Sequence, residues 1–294
     1  MSRPFYIVDV FAERPCTGNP LAVVLDADEL TESAMQALAA ETNYSETAFV
    51  ATDRDPDGAF RVRLFTPARE IGFAGHPILG TGWVIRHHLL SSSSDHVWLR
   101  IAIGDVSVTF EPSTGGGDVA WFRAPPMSLG HTFASEEIAP ALGLAAEDIA
   151  SDSPVRQVSA GTSAIIVPVS SLRALRRSRL DLEAFAPLAT QGIPPLVYLF
   201  CRETHDAANH VCARFFFEAH GVREDPATGN GAAFLGAYLL EHRLFPEAEL
   251  DLRIEQGHEV RRPSLVRLHA RMNGRTREVD VGGQVFPVVR GELM

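Results

Sequence analysis

"TPAREIGFAGHPILGTGWVIRHHLL" occupies residues 66–90, and "HGVREDPATGNGAAFLGAYLLEHRL" occupies residues 220–244. Aligned without gaps at an offset of 154, the two stretches share Arg69 with Arg223, Glu70 with Glu224 and Gly75 with Gly229. They also share Gly82 with Gly236, His88 with His242 and Leu90 with Leu244. Each stretch follows β-rich sequence and runs through a Gly-rich turn into an apolar segment of helical length. In the first, Pro77 suits the opening position of a helix, and Trp83, Val84 and Ile85 carry the apolar pattern onward. A strand–turn–helix order repeated in both halves reads as an internal duplication.

The duplication gives the turns a chemical meaning. A helix start gathers unpaired backbone N–H groups and the positive end of the helix dipole, so it favours an anion. Two equivalent turns facing each other across a pseudo-two-fold interface would present both sets of donors to one cleft. A carboxylate or a transient enolate is then held without a metal or an arginine, each terminus contributing about 0.3–1 kcal/mol to an exposed anion. Glycine at Gly75, Gly229 and Gly231 lets the backbone approach a ligand closely. For a single turn, relief of strain explains the glycines equally well.

Around these turns the chain reads as mixed α and β. Phe5–Val10 and Leu21–Leu25 are strand-like around "RPCTGNP", and 30–42 is helical with acidic residues near its start. Phe60, Val62 and Leu64 alternate with Arg61 and Arg63, the pattern of a half-buried strand. "SSSSD" (91–95) reads as a solvated loop and "EPSTGGGD" (111–118) as a linker or hairpin turn. The spacing predicts helices within 135–149 and 170–190, then β runs on both sides of "HDAANH", and strand-like hairpins after residue 245. These features place a domain break near Pro125, with domains at 1–125 and 126–279.

Bulk properties narrow the function. At 294 residues the chain makes one large domain or two of ordinary size. A formal charge of −11 argues against a nucleic-acid or anionic-membrane partner, either of which needs a basic face. No stretch approaches the ~18 uninterrupted apolar residues of a membrane span. The N-terminus lacks the apolar core of a signal peptide and reads directly as a strand. Cys16, Cys201 and Cys212 form no CxxC and suit a reducing cytoplasm as small buried apolar side chains.

Neither turn is a P-loop or a GxGxxG fingerprint, and no GxSxG elbow occurs. "SAGTSAII" (159–166) reads as a β-turn. His87 and His88 are adjacent, cannot share one helical face and have no HExxH context, so no metal site is expected there. Three residues are candidates for acid–base work. Glu46, in "NYSETAF", sits at an element edge beside Tyr44 and Phe49, where partial desolvation would make it a better base. His76 lies within the first Gly-rich turn and is of the type that exchanges protons near neutrality. Asp225, in "EDPATGN", is able to bind a substrate amine, although an Asp-Pro turn cap explains it too. Glu70 and Glu224, each beside an arginine (Arg69, Arg223), read as structural ion pairs.

"GNPLAVV" (18–24), "SETAFV" (45–50), "FTPAREIGFAGHPILGTG" (65–82), "EDPATGNGAA" (224–233) and "QGHEVRRPS" (256–264) together resemble the phenazine-biosynthesis PhzF-like family. The motifs stand in the family's order and span nearly the whole chain. The resemblance implies an α+β, diaminopimelate-epimerase-like fold. That fold has two similar domains related by pseudo-two-fold symmetry, each a mostly antiparallel β-barrel around a central helix. The last strand, about 280–294, is expected to return to the first domain. The resemblance further implies an isomerase that moves a proton on a dihydro-hydroxyanthranilate-like substrate with no metal and no coenzyme. Glu46 resembles the family's catalytic carboxylate, and His76 and Asp225 resemble residues that contact the substrate and assist the proton. Gly75 and Gly229 supply backbone donors. Asn230 stands where the family commonly has serine, an amide that cannot carry a proton as a hydroxyl does.

Related epimerases place a cysteine in each of the two turns, and this chain has none there, so a two-thiol racemase is not expected. The remaining alternative is a non-catalytic small-molecule-binding or interaction protein that retains the cleft. The expected partner is a small-molecule carboxylate, and relatives are often homodimers.

Overall fold

The computed structural model describes residues 2–90, 94–113, 116–218 and 222–294. Parts of the expected loops, residues 91–93 and 114–115, lie outside the described residues, as does the segment 219–221 at the edge of the repeat. The chain divides into two compact units, one of residues 1–123 with 281–294 and one of residues 124–280.

The first unit holds β1 (Arg3–Val10), β2 (Asn19–Val24), β3 (Thr47–Arg54), β4 (Phe60–Phe65), β5 (Glu70–Ile71), β6 (His96–Ile101), β7 (Gly104–Pro112) and β8 (Asp118–Arg123). It also takes the later part of β17 (Thr276–Leu293). Pairing runs β17, β1, β2, β3, β4, β6, β7, β8 and back to β17, a closed eight-stranded barrel with no open edge. β2 with β3 and β4 with β6 are parallel, while β1 with β17 and with β2, β4 with β3 and with β5, and β7 with β6 and with β8 are antiparallel. A parallel pair needs a crossover. The first crossover is α1 (Glu32–Thr42), whose Thr31 hydroxyl accepts from the Ala34 N–H and whose end is turned by left-handed Asn43. The second carries β5 and then α2 (Gly75–His88).

Helix α2 is buried at every position except Trp83, His87 and His88 and packs against β1, β2, β3, β6, β7 and β8. A helix apolar on all sides belongs in a core, and this one fills the barrel. Its glycines are the condition for that fit. A Cβ on Gly82 would lie 2.9 Å from Val108 of β7, and one on Gly80 would lie 2.6 Å from Leu21 of β2. The glycines of "GHPILGTG" thus serve close packing as well as the turn.

The second unit holds β9 (Ser128–Phe133), β10 (Val155–Ala160), β11 (Thr162–Pro168), β12 (Leu196–Cys201), β13 (Val211–Phe217), β14 (Val222–Asp225), β15 (Glu249–Gln256) and β16 (Ser264–Asn273). The pairing order of the first unit recurs. β10 and β11 are antiparallel, β11 and β12 parallel, and β12 and β13 antiparallel. β13 and β15 are parallel, and β15 and β16 antiparallel. Helix α6 (Gly229–His242) takes the place in this order that α2 takes in the first, packs on β10, β11 and β16, and starts and ends at the positions equivalent to those of α2.

The two or three helical stretches expected within 135–149 and 170–190 are three short α-helices. Within 135–149 only α3 (Ser135–Ile138) is α-helical, because Pro140 and left-handed Gly143 close a 3₁₀ turn after it. Within 170–190, α4 (Leu172–Arg177) stops at extended Ser178, and Asp181 caps a new helix, α5 (Leu182–Ala189). These elements cover a core of Ile138, Leu142, Leu175, Phe185, Val197 and Leu199.

The Arg–Glu expectation needs a correction of partners. Glu70 binds Arg63 of β4 at 2.6 and 2.7 Å, and Glu224 binds Arg214 of β13 at 2.6 and 3.0 Å. The cross-strand arginines, rather than the sequence neighbours Arg69 and Arg223, take the carboxylates.

Candidate active site

In the first unit the turn after α1 delivers Glu46 into the barrel at the start of β3, where the residue is only 3% exposed. His76, the second residue of α2, is equally buried. Its Nε2 lies 3.4 Å from the Glu46 Oε2. On the other side of the ring, the amide Nδ2 of Asn19, the first residue of β2, faces Nδ1 at 3.2 Å. With the amide assigned so, Nδ1 accepts from Asn19, and the single proton of a neutral imidazole sits on Nε2, facing the carboxylate. Burial pushes the His76 pKa down to about 3, so the ring is neutral across the physiological range.

Gly75 opens α2, and its N-cap residue, Ala74, has no side chain to cap the helix. In the second unit Gly229 opens α6, whose N-cap residue, Thr228, is of a type that usually caps but makes no capping bond. Its hydroxyl instead donates to the Asp225 carboxylate. Asp225, at the end of β14, is 2% exposed. Gln256, at the end of β15, ties this loop together. Its Nε2 donates to the Asp225 carbonyl at 2.9 Å and to the Thr228 hydroxyl at 3.2 Å, while Oε1 accepts from the Thr228 N–H and the Tyr198 hydroxyl. The following Gly257 has φ +81, and a Cβ there would lie 2.3 Å from the Arg262 carbonyl oxygen and 2.5 Å from that of Pro226. Asn230 is half-buried, and its Oδ1 has no hydrogen-bond partner among the described residues.

Two groups emerge. Glu46, His76 and Gly75 gather in the first unit around Asn19. Asp225, Gly229 and Asn230 gather in the second around Thr228 and Gln256. Asn19, Thr228 and Gln256 were not singled out by sequence reasoning, although Asn19 and Gln256 lie within the family-like stretches "GNPLAVV" and "QGHEVRRPS". The cysteines are elsewhere. Cys201 and Cys212 are buried opposite each other on β12 and β13, and Cys16 is in the exposed turn after β1. His87 stacks on Trp83 and His88 on Tyr6, with His88 also edge-on to Trp83, so the adjacent pair serves ring packing.

The profile of the PhzC-PhzF family, phenazine biosynthesis-like proteins, matches residues 8–291. A trans-2,3-dihydro-3-hydroxyanthranilate isomerase of Pseudomonas aeruginosa is 33% identical over 282 residues, covering 95% of both chains. An uncharacterized isomerase of Mesorhizobium japonicum is 35% identical over 300 residues and covers 99% of both. The crystal structure of a Bacillus anthracis phenazine biosynthesis protein of the PhzF family superposes with a TM-score of 0.91 at 28% identity, covering 100% of this chain and 99% of that one. The chain belongs to the PhzC-PhzF family.

Proposed function

We propose that this protein is an isomerase that moves a proton on a small carboxylated substrate of the dihydro-hydroxyanthranilate type, with Glu46 as the base. The observation that carries this reading is the buried line Asn19–His76–Glu46 at the start of a helix that no side chain caps. The family resemblance and the isomerase names of the relatives support the reaction class. The matching pairing order in the two units supports reading them as duplicated copies.

In the proposed step, the Glu46 carboxylate takes a proton from a carbon next to a polarised group. The C–H electron pair passes into the conjugated system, and the proton returns to another carbon. Neutral His76 matters here. An imidazolium at 3.4 Å would hold Glu46 as a weak base, whereas a neutral ring directs an N–H at the carboxylate and leaves its basicity largely intact. Backbone N–H groups at the start of α2 hold the substrate carboxylate and the charge that develops. In the second unit Asp225, oriented by Thr228, offers a carboxylate suited to an amine, and Asn230 offers a hydrogen bond where the family commonly has a hydroxyl.

The test is Glu46→Gln assayed with trans-2,3-dihydro-3-hydroxyanthranilate in deuterated water. The variant is expected to lose about 10²–10⁴-fold in rate, the contribution typical of a general base, while still binding the substrate. Undiminished deuterium incorporation would remove Glu46 from the mechanism.

A further inference from the structure

On the face of β15 opposite Gln256, the neighbouring Glu255 anchors a second cluster of donor atoms. Its carboxylate is 4% exposed and takes hydrogen bonds from the backbone of His205 and Asp206, both at 2.8 Å, and from the Asn209 amide at 2.7 Å. The His205 Nδ1 lies 2.9 Å from Oε2, and the His258 Nε2 lies 3.7 Å from the same oxygen. The three donor atoms lie within 4.8 Å of one another. A tetrahedral zinc ion with bonds of about 2.0–2.1 Å sets its donors roughly 3.3 Å apart, and the two short distances bracket that value. The imidazoles stack at 3.8 Å, and each side chain is 29% exposed, so one side of the cluster opens to solvent.

We propose that His205, Glu255 and His258 form a divalent-metal site, with zinc the ion best matched to two imidazoles and one carboxylate. Glu255 is already fixed by outer hydrogen bonds of the kind that orient metal ligands. When the ion enters, the imidazole proton of His205 sits on Nε2, so that Nδ1 donates its lone pair. The fourth position faces a groove of about 630 Å³ lined also by Arg173, Arg176 and Glu259. Arg177, at the same groove, is paired with Asp148, and Arg176 lies 3.7 Å from Glu259, which offsets part of their charge. The ion would brace β15 next to Gln256, the residue that holds Asp225 and Thr228. The site stands independently of the proposed reaction.

The test is a calorimetric titration of tag-free, chelator-treated protein with zinc chloride. One equivalent is expected to bind, and zinc is expected to raise the melting temperature. His258→Ala is expected to weaken uptake by more than about 100-fold. Asn209→Ala, which removes an outer partner, should weaken it by about 10–100-fold. Anomalous diffraction at the zinc edge from a soaked crystal reads the site without any variant and should place the ion between the two imidazoles. Absence of one-equivalent uptake, uptake unchanged by His258→Ala, or anomalous density only at other histidines would overturn the proposal.

Discussion

The neutral state of His76 has a sign that equilibrium unfolding can read. In the unfolded chain this histidine titrates near its ordinary pKa of 6.5, and in the folded protein burial holds it at about 3. Between those values the unfolded state binds a proton that the folded state refuses, so stability falls as the pH falls. Each pKa unit is worth about 1.4 kcal/mol. For a difference of this size, the loss between pH 7 and pH 5 is about 2 kcal/mol. The full histidine contribution is present above pH ~6.5 and is lost progressively toward pH ~3. His76→Gln keeps a polar side chain and removes the titration. Urea unfolding of both proteins at pH 7 and pH 5 reads the effect, because groups remote from residue 76 cancel in the comparison. Trp83, Trp98 and Trp121 all lie in the first unit, so fluorescence reports on the unit that contains His76. The wild type should lose about 2 kcal/mol more than the variant on acidification. If His76 and Glu46 instead formed an ion pair, the folded pKa would rise above 6.5, and the wild type would gain on the variant as the pH fell from 8. Parallel pH profiles, or that reversed sign, would refute the neutral-histidine account.

Two stability predictions follow from backbone and charge. Gly257→Ala combines a left-handed backbone with contact against two carbonyl oxygens and should cost about 2–4 kcal/mol, read as a lower thermal midpoint. A midpoint near wild type would mean that the 257 turn is adaptable. Arg214→Met leaves Glu224 without its bidentate partner and removes a donor, now at 2.6–3.2 Å, from the carbonyls of Leu175, Arg176 and Ser178. Breaking a buried pair from one side typically costs about 3–5 kcal/mol, and a loss below 1 kcal/mol in denaturant unfolding would contradict that burial.

Local rules carried the sequence reading a long way. The Gly-rich turns, the Pro77 start and the equivalent positions of Gly75 and Gly229 are properties of neighbouring residues, and both helices begin where those residues stand. The distant partnerships were not legible. Glu46 and His76 meet because α2 fills the barrel and Glu46 is buried just before β3, and no spacing within "NYSETAF" encodes that. The Arg63–Glu70 and Arg214–Glu224 pairs depend on hairpin geometry that overrides nearness in sequence. His205, Glu255 and His258 are drawn together by the parallel pairing of β13 with β15, which sets Cys212 beside Glu255. Such a pairing leaves no local periodic mark. The broken helices in 135–149 and 170–190 were visible only as Pro140, Gly143 and Asp181, residues that stop or restart a helix inside an otherwise apolar pattern.

A crystal structure with trans-2,3-dihydro-3-hydroxyanthranilate bound to the Glu46→Gln protein tests the proton-transfer account most directly. It should show the carbon that loses its proton about 3–3.5 Å from the residue-46 side chain, the reach of a reacting pair, with the substrate carboxylate on backbone N–H groups at a helix start. A ligand bound with that carbon beyond reach of residue 46, or with its carboxylate held away from both Gly75 and Gly229, would contradict it.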